Sequence, residues 1–499
     1  MLMKIKTGFA FLLALFLPAI GFGQDVRLVD AARNGDRTAV RSLIQQGVNV
    51  NVIHSDGATA LAWAANRDDL ELADLLIRAG ANANLANEYG VTPVALACIN
   101  RSAVMVEKLL GAGADPNSAS WTGETPLMVC ARTGNVQAVK ALLSRGANPD
   151  AKENQQGHTA LMRAVAERHS GIVRALVDAR ADIAARSRGG FTALLFAGQQ
   201  GDMESTRTLI AAGADVNEAT PEHGTALVLA AASGREDVAL FLLEKGANPN
   251  AVDAYGLSAL HYAVPKGLAS IDSVSVVFRP HEDVPANMPG LVKALLARGA
   301  NPNLQVTKDF PPYSRSPYAL QTSLVGLTPF LMAAASGDVE LMRILLDRGA
   351  DPLLKLREGS TALMLAAGVG RVDDRPAKDE ANALEAVKSA FEVVGNLDAV
   401  NARGRSALHG AAGIGANAII QFLAEKGANL ELKDRQGTTA LKIAAGGAPR
   451  GDGANRVYPA TMEVLIKLGA DRESINAPEI SQGRRTATSA VGGGDDRQD

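Results

Sequence analysis

The sequence predicts an all-α solenoid of about twelve helix-turn-helix units, with hairpin fingers between units and loop insertions in the C-terminal half. Three observations predict it. A triplet of Thr or Ser, then Ala or Pro, then an apolar residue begins at Thr59, Thr92, Thr125, Thr159, Thr192, Thr225, Ser258, Thr328, Thr361, Ser406 and Thr439, mostly 33 residues apart. Twenty-one residues after the triplet begins, a Gly-Ala-Asn or Gly-Ala-Asp step follows in most units, as in Gly80-Ala81-Asn82 and Gly113-Ala114-Asp115. Aromatic residues make up only 4 % of the chain while glycine reaches 49 residues, a skew toward small side chains that lets helices pack closely. A period of this length marks units that cannot bury their apolar faces alone and must stack. Counting back from Thr59 finds a degenerate first unit, in which Asp30-Ala31-Ala32 and Gly47-Val48-Asn49 hold the frame.

The chemistry of a unit can be argued residue by residue in Thr125 to Asp150. Thr125 is placed to cap a helix that Pro126 starts, because its hydroxyl accepts an orphan N–H and proline needs no donor in the first turn. Leu127, Val129 and Ala131 face the next unit, and Gly134 stops the helix. A second helix runs through Val136, Val139, Leu142 and Leu143 and ends in a left-handed cap at Gly146.

Composition bounds the rest. A chain of 499 residues, 47 % hydrophobic and 21 % charged, with mean hydropathy +0.04, is neither collagen-like, disordered nor a multi-span membrane protein. Fifty basic and 53 acidic side chains leave a formal charge of −3, so no global field holds phosphate backbones or an anionic bilayer, and nucleic acid is not an expected partner.

The N-terminus reads as an address. Lys4 and Lys6 precede an apolar run from Gly8 to Ile20, and Gly21-Phe22-Gly23 offers small residues ahead of Gln24. Residues 1–23 therefore read as a cleaved signal peptide, and the mature chain as periplasmic or secreted. An uncleaved anchor competes, since the uncharged stretch from Thr7 to Gln24 just reaches spanning length; Pro18 interrupts it.

Thr125-Pro126-Leu127, Ser258-Ala259-Leu260-His261 and Ser406-Ala407-Leu408-His409, followed by paired alanines, a Leu-Leu helix and the Gly-Ala-Asp step, resemble the ankyrin repeat. The resemblance runs from about Gln24 to Arg472, ahead of a tail over 474–499 that composition marks as disordered. It departs at Arg180, which replaces a capping glycine, and around Gly395-Asn396-Leu397, where the Ala-Asp step is lost. The resemblance implies protein recognition without catalysis, histidines at 261 and 409 that hydrogen-bond within the turn, and a binding surface on the concave side formed by hairpin tips and the ends of first helices. Those slots hold Tyr89, Trp121, Arg132, His158, Phe191 and Tyr255 as candidate partner-binding residues, and Trp, Tyr and Arg dominate interface energetics. Phe191 and Tyr255 have a competing reading as packing against the adjacent finger.

Where the period breaks, residues are inserted, near 268–288, 305–323, 370–383 and 447–458. Three of the four enlarge the turn between the two helices of a unit. The second holds Phe310, Pro311, Pro312, Tyr313, Arg315 and Tyr318, a stiffened aromatic segment suited to docking on a partner, or to covering a joint between units.

Chemistry is not found. No phosphate loop, nucleophile elbow or His-Glu-x-x-His is present, and neither cofactor nor metal is expected. Cys98 and Cys130 fall in successive units, one residue out of phase. Layers about 10 Å apart exceed the disulfide limit of roughly 7 Å between Cα atoms, so they read as separate buried thiols. Two functions follow: an exported, non-catalytic, monomeric scaffold for another protein, or a small-ligand accessory protein with a pocket of Arg279, His281 and Tyr313 under the insertions.

Overall fold

The structure, a computed structural model, describes residues 25–264, 287–309, 323–370, 380–447 and 456–476. The leader over 1–23, most of each inserted segment, and the tail beyond 476 lie outside the described residues, as do Arg279, His281, Phe310, Tyr313, Arg315 and Tyr318.

Twelve helix pairs are present among the described residues, in two compact bodies divided between Asp182 and Ile183. In the N-terminal body the first helices are Arg27–Asn34, Ala60–Asn66, Pro93–Ile99, Pro126–Thr133 and Ala160–Ala166, and the second helices are Arg37–Gln45, Leu70–Arg78, Ala103–Gly111, Val136–Ser144 and Ser170–Asp178. In the C-terminal body the first helices are Ala193–Gln200, Ala226–Ala232, Ala259–Tyr262, Pro329–Ser336, Ala362–Ala366, Ala407–Ile414 and Ala440–Ala444. Their partners are Met203–Ala211, Glu236–Glu244, Pro289–Ala297, Val339–Asp347, Glu380–Val394, Asn417–Glu425 and Pro459–Lys467. Within each body first helices stack on first helices and second on second, so each unit covers the face its neighbour leaves open. Leu61, Leu127, Leu161, Leu72, Leu109 and Leu142 are fully buried in these layers.

The local rules operate as the sequence dictates. The Thr125 hydroxyl accepts the Met128 N–H, Pro126 opens the helix, and Gly134 closes it at φ +93°. Gly146 takes φ +83°. Arg180 occupies the same left-handed cap at φ +62° without glycine's freedom, which costs it about 1 kcal/mol.

A side-chain ladder ties each unit to the next. The Asn84 carboxamide donates to Gly113 O at 2.9 Å and accepts Asp115 N–H at 2.7 Å; Asn51, Asn117, Asn217, Asn250 and Asn303 do the same with their following units. These bonds satisfy backbone groups left over at helix ends. Asp150, Asp398 and Glu431 fill the slot with carboxylates, which accept Asp182 N–H, Asn429 N–H and Asp471 N–H but cannot donate. Ala184 and Leu353 leave it without a polar side chain.

The long connections leave the pairing intact. In an ordinary unit the residue that opens the second helix donates its N–H to an alanine carbonyl late in the first helix, as Arg235 does to Ala230 at 2.8 Å. Met288 N–H bonds Ala263 O at 2.9 Å and Tyr458 N–H bonds Ala444 O at 2.8 Å, the same contact made across the interrupted turns. The first helices before the three enlarged turns shrink to four or five residues, Ala259–Tyr262, Ala362–Ala366 and Ala440–Ala444.

One expectation fails. Cys98 and Cys130 are not separate thiols: they form a disulfide with Cα atoms 4.7 Å apart, both fully buried. The layer spacing of roughly 8–10 Å is measured between helix axes. Each Cα stands about 2.3 Å off its axis, so Cα atoms that face one another come within bridging range. The 32-residue separation, one short of the period, is what turns the two side chains together.

Candidate functional site

The third and fourth units of the N-terminal body carry the most exposed aromatic pair. The hairpin Asn87 to Val91 is closed by Asn87 N–H to Val91 O at 3.1 Å, and the next, Ser120 to Glu124, by Ser120 N–H to Glu124 O at 3.0 Å. Trp121 N–H donates to Tyr89 O at 3.1 Å, which stacks one fingertip on the other. Gly90 permits the approach, since a Cβ there would stand 3.1 Å from Trp121 N. The two rings meet edge to face with centroids 5.2 Å apart, and yet Trp121 remains 70 % exposed and Tyr89 47 %. A hydrogen bond with Glu88 raises the Tyr89 phenol above its usual range.

Below the rings lies a cleft of about 140 Å³, floored by Val91, Ala95, Ile99 and Val129 and walled by Ser120 and Glu124. Ile99 is half exposed at the end of its helix. Sequence reasoning passed over it while selecting Arg132 seven residues after Thr125, although Ile99 stands seven residues after Thr92. The shared register was the available signal. Arg132 joins the site through Glu124, whose carboxylate lies 3.5 Å from its Nε. The disulfide runs directly behind: Cys98 precedes Ile99 and Cys130 follows Val129 in the chain.

His158 sits on the next finger, which is joined to the Trp121 finger by Asn154 N–H to Thr122 O at 2.7 Å. It is half-buried; burial lowers its pKa, Arg163 adds to the effect and Glu153 opposes it. Burial works to raise the Glu153 carboxyl, but N–H groups of His158, Gln155 and Gln156 hold it below the usual range.

Phe191 and Tyr255 belong to the C-terminal body and are not gathered into this cleft. The Phe191 ring packs on Phe196 at 5.1 Å and on His223 of the following finger at 5.2 Å. Tyr255 is half-buried and its carbonyl accepts Thr307 N–H at 2.8 Å. His261 and His409 are structural: Nδ1 of His261 accepts Ser258 N–H at 3.1 Å and its Nε2 lies 3.3 Å from Leu327 O in the next unit. His409 repeats the arrangement with Ser406 and Thr438. Among the described residues no group of acidic, histidine or cysteine side chains is arranged to hold a metal ion.

Family models for ankyrin repeats match residues 28–120, 105–187 and 194–287, and a single-repeat model matches 325–355. The chain belongs to the ankyrin-repeat family. Among curated proteins it is similar to ankyrin repeat domain-containing protein 63 of Homo sapiens and of Mus musculus, each 32 % identical over 128 residues. The match covers 24 % of this chain and 30 % of each relative, so the chain spans less than a third of their length. Ankyrin repeats are in general scaffolds for protein–protein interaction and typically non-catalytic. No helix among the described residues is long and apolar enough to cross a membrane.

Proposed function

We propose that the chain is an exported, non-catalytic and monomeric scaffold that binds another protein through its fingers and inner helices, with the Tyr89–Trp121 cleft as the anchor site. The observation that carries this reading is Trp121, 70 % exposed at a cleft whose lining joins Val91, Ile99 and Val129 to Ser118, Thr122 and Glu124. Trp121 leaves most of its indole surface outside the core, and a large rigid side chain beside apolar lining is the arrangement that concentrates binding energy. Export is supported by the leader sequence and by the buried Cys98–Cys130 bridge, since such bridges persist in oxidising compartments.

The test is capture from the exported fraction of the native cell, with the chain from Gln24 as bait beside Trp121→Ala and Ile99→Ser variants. A defined protein retained by the parent and lost by both variants, with helicity unchanged by circular dichroism, is the expected result. Equal recovery by all three baits removes the cleft from the reading, and an N-terminus at Met1 in the native protein removes cleavage.

A further inference from the structure

A second surface, independent of the Trp121 cleft, lies on the last three fingers of the C-terminal body. Their tips span Leu356 to Ser360, Asn401 to Arg405, and Asp434 to Thr438. They stack through their backbones: Ala402 N–H bonds Glu358 O at 2.6 Å and Arg435 N–H bonds Arg403 O at 2.9 Å. Gly404 allows the second contact, since a Cβ there would stand 2.8 Å from Arg435 N.

These tips and the residues leading into them carry six cationic side chains, Lys355, Arg357, Arg403, Arg405, Lys433 and Arg435, against two carboxylates, in a chain whose net charge is −3. All but Arg405 are exposed. The two carboxylates offset them only in part. Asp434 is buried, with its oxygens taken by Gln436 N–H, Thr438 N–H and Arg405, and Glu358 is half-buried. Lys355, Arg357, Lys433 and Arg435 make no ion pair among the described residues. Arg403 is exposed at its surface yet partly enclosed, and that partial burial first and the Arg405 charge second lower its pKa, with Glu358 opposing.

Backbone hydrogen bonds hold these like charges side by side against their repulsion, so an external counter-charge gains what the protein does not supply. We infer that the stacked tips of residues 355–358, 402–405 and 433–436 form a docking surface for an extended acidic segment of a partner protein. An extended chain presents every second side chain to one face, which suits a ladder of fingertips read in succession. The rest of the molecule is net negative, since the chain as a whole carries −3, and it gives no broad positive field for a phosphate polymer or an anionic bilayer.

The probe is a fluorescein-labelled peptide of alternating Glu and Ser, measured by anisotropy against the full chain, beside a Gln–Ser peptide, an oligothymidylate of equal charge and phosphatidylserine vesicles. The expected result is salt-sensitive binding of the Glu–Ser peptide alone, weakened about tenfold by Arg357→Gln with Arg435→Gln. The Trp121→Ala variant binds the probe unchanged, which separates this surface from the cleft proposed above. A control pair on the exposed second helices of the N-terminal body, Arg41→Gln with Arg78→Gln, removes the same charge and leaves binding intact. Equal loss in that control, equal binding of the Gln–Ser peptide, or tighter binding of the oligonucleotide or vesicles overturns the inference. Circular dichroism of both variant pairs confirms that the fold is retained.

Discussion

Residues 25–182 and the described residues after 183 repeat one helical pair, yet they finish its fingertips differently. The N-terminal body ends its third and fourth fingers in Tyr89 and Trp121, and a disulfide joins the helices beneath. The C-terminal body ends its last three in Arg357, Arg403 and Arg435, and two histidine capping boxes, at Ser258 and Ser406, brace its first helices. The ladder thins toward the end of each body: Asn51, Asn84 and Asn117 are followed by Asp150 in the first, and Asn217, Asn250 and Asn303 by Leu353, Asp398 and Glu431 in the second. The lesson is a division of labour within the repeat. Positions that face a neighbouring unit are held to Leu, Ala and the capping hydroxyl, and the tips are free to carry whatever a partner requires.

The largest expected difference between the two bodies lies at the disulfide. Replacing both Cys98 and Cys130 with alanine is expected to cost about 3–4 kcal/mol by loop-closure entropy, and to do so locally, because repeat stability rests on nearest-neighbour contacts. Hydrogen exchange should show faster opening of 93–144 while the helices after 183 keep their protection; loss in both bodies together would show that they unfold as one. Next in size, Asn84→Leu copies the Leu353 slot into the intact ladder and forfeits two hydrogen bonds, for about 2 kcal/mol in urea melts.

Acid should discriminate the bodies as well. Burial holds the folded His261 imidazole at about 4, below its ordinary 6.5, and burial lowers His409 in the same direction. As pH falls the unfolded chain protonates first, so the stabilisation is complete above about pH 6.5 and is lost progressively toward pH 4. Thermal melts should show that window as a fall in stability that is larger in the C-terminal body, with its two buried imidazoles, than in the N-terminal body, with the half-buried His158, and that is flattened in the His261→Ala variant. Smaller again, Arg180→Gly should add about 1 kcal/mol by relieving a left-handed residue. Least of all, Leu353→Asn should change little, because Asn396 N–H, the group it would meet, already bonds Val394 O at 2.9 Å.

The fold was legible because its signals are local and repeated. Thr125, Pro126, Gly134 and Gly146 each act within one helical turn, and the period propagates them. What was not legible depended on how far apart backbones stand. The pairing of Cys98 with Cys130 turned on the difference between an axis spacing and a Cα spacing. The recruitment of Asp398 to the ladder was hidden by the lost Ala-Asp step at Asn396-Leu397. At the candidate site, the juxtaposition of Tyr89 and Trp121 follows from register alone, whereas Ile99 looks in the sequence like one more core aliphatic, and only its place at an exposed helix end sets it apart. Phe191 shows the opposite limit: a fingertip aromatic with neighbours of its own at Phe196 and His223.

The hydrogen bonds from Met288 to Ala263 and from Tyr458 to Ala444 make the interrupted turns into splice points. These two enlarged turns return to the carbonyl that an uninterrupted turn would use, so the helix pairing is kept although the first helix of each unit is shortened. Doubling the length of a connection costs only about 0.6 kcal/mol in closure entropy, a sum set by chain length and indifferent to cargo. A foreign loop, a reporter or a second recognition element grafted between 264 and 287 should therefore be carried by the array without retuning any neighbouring repeat.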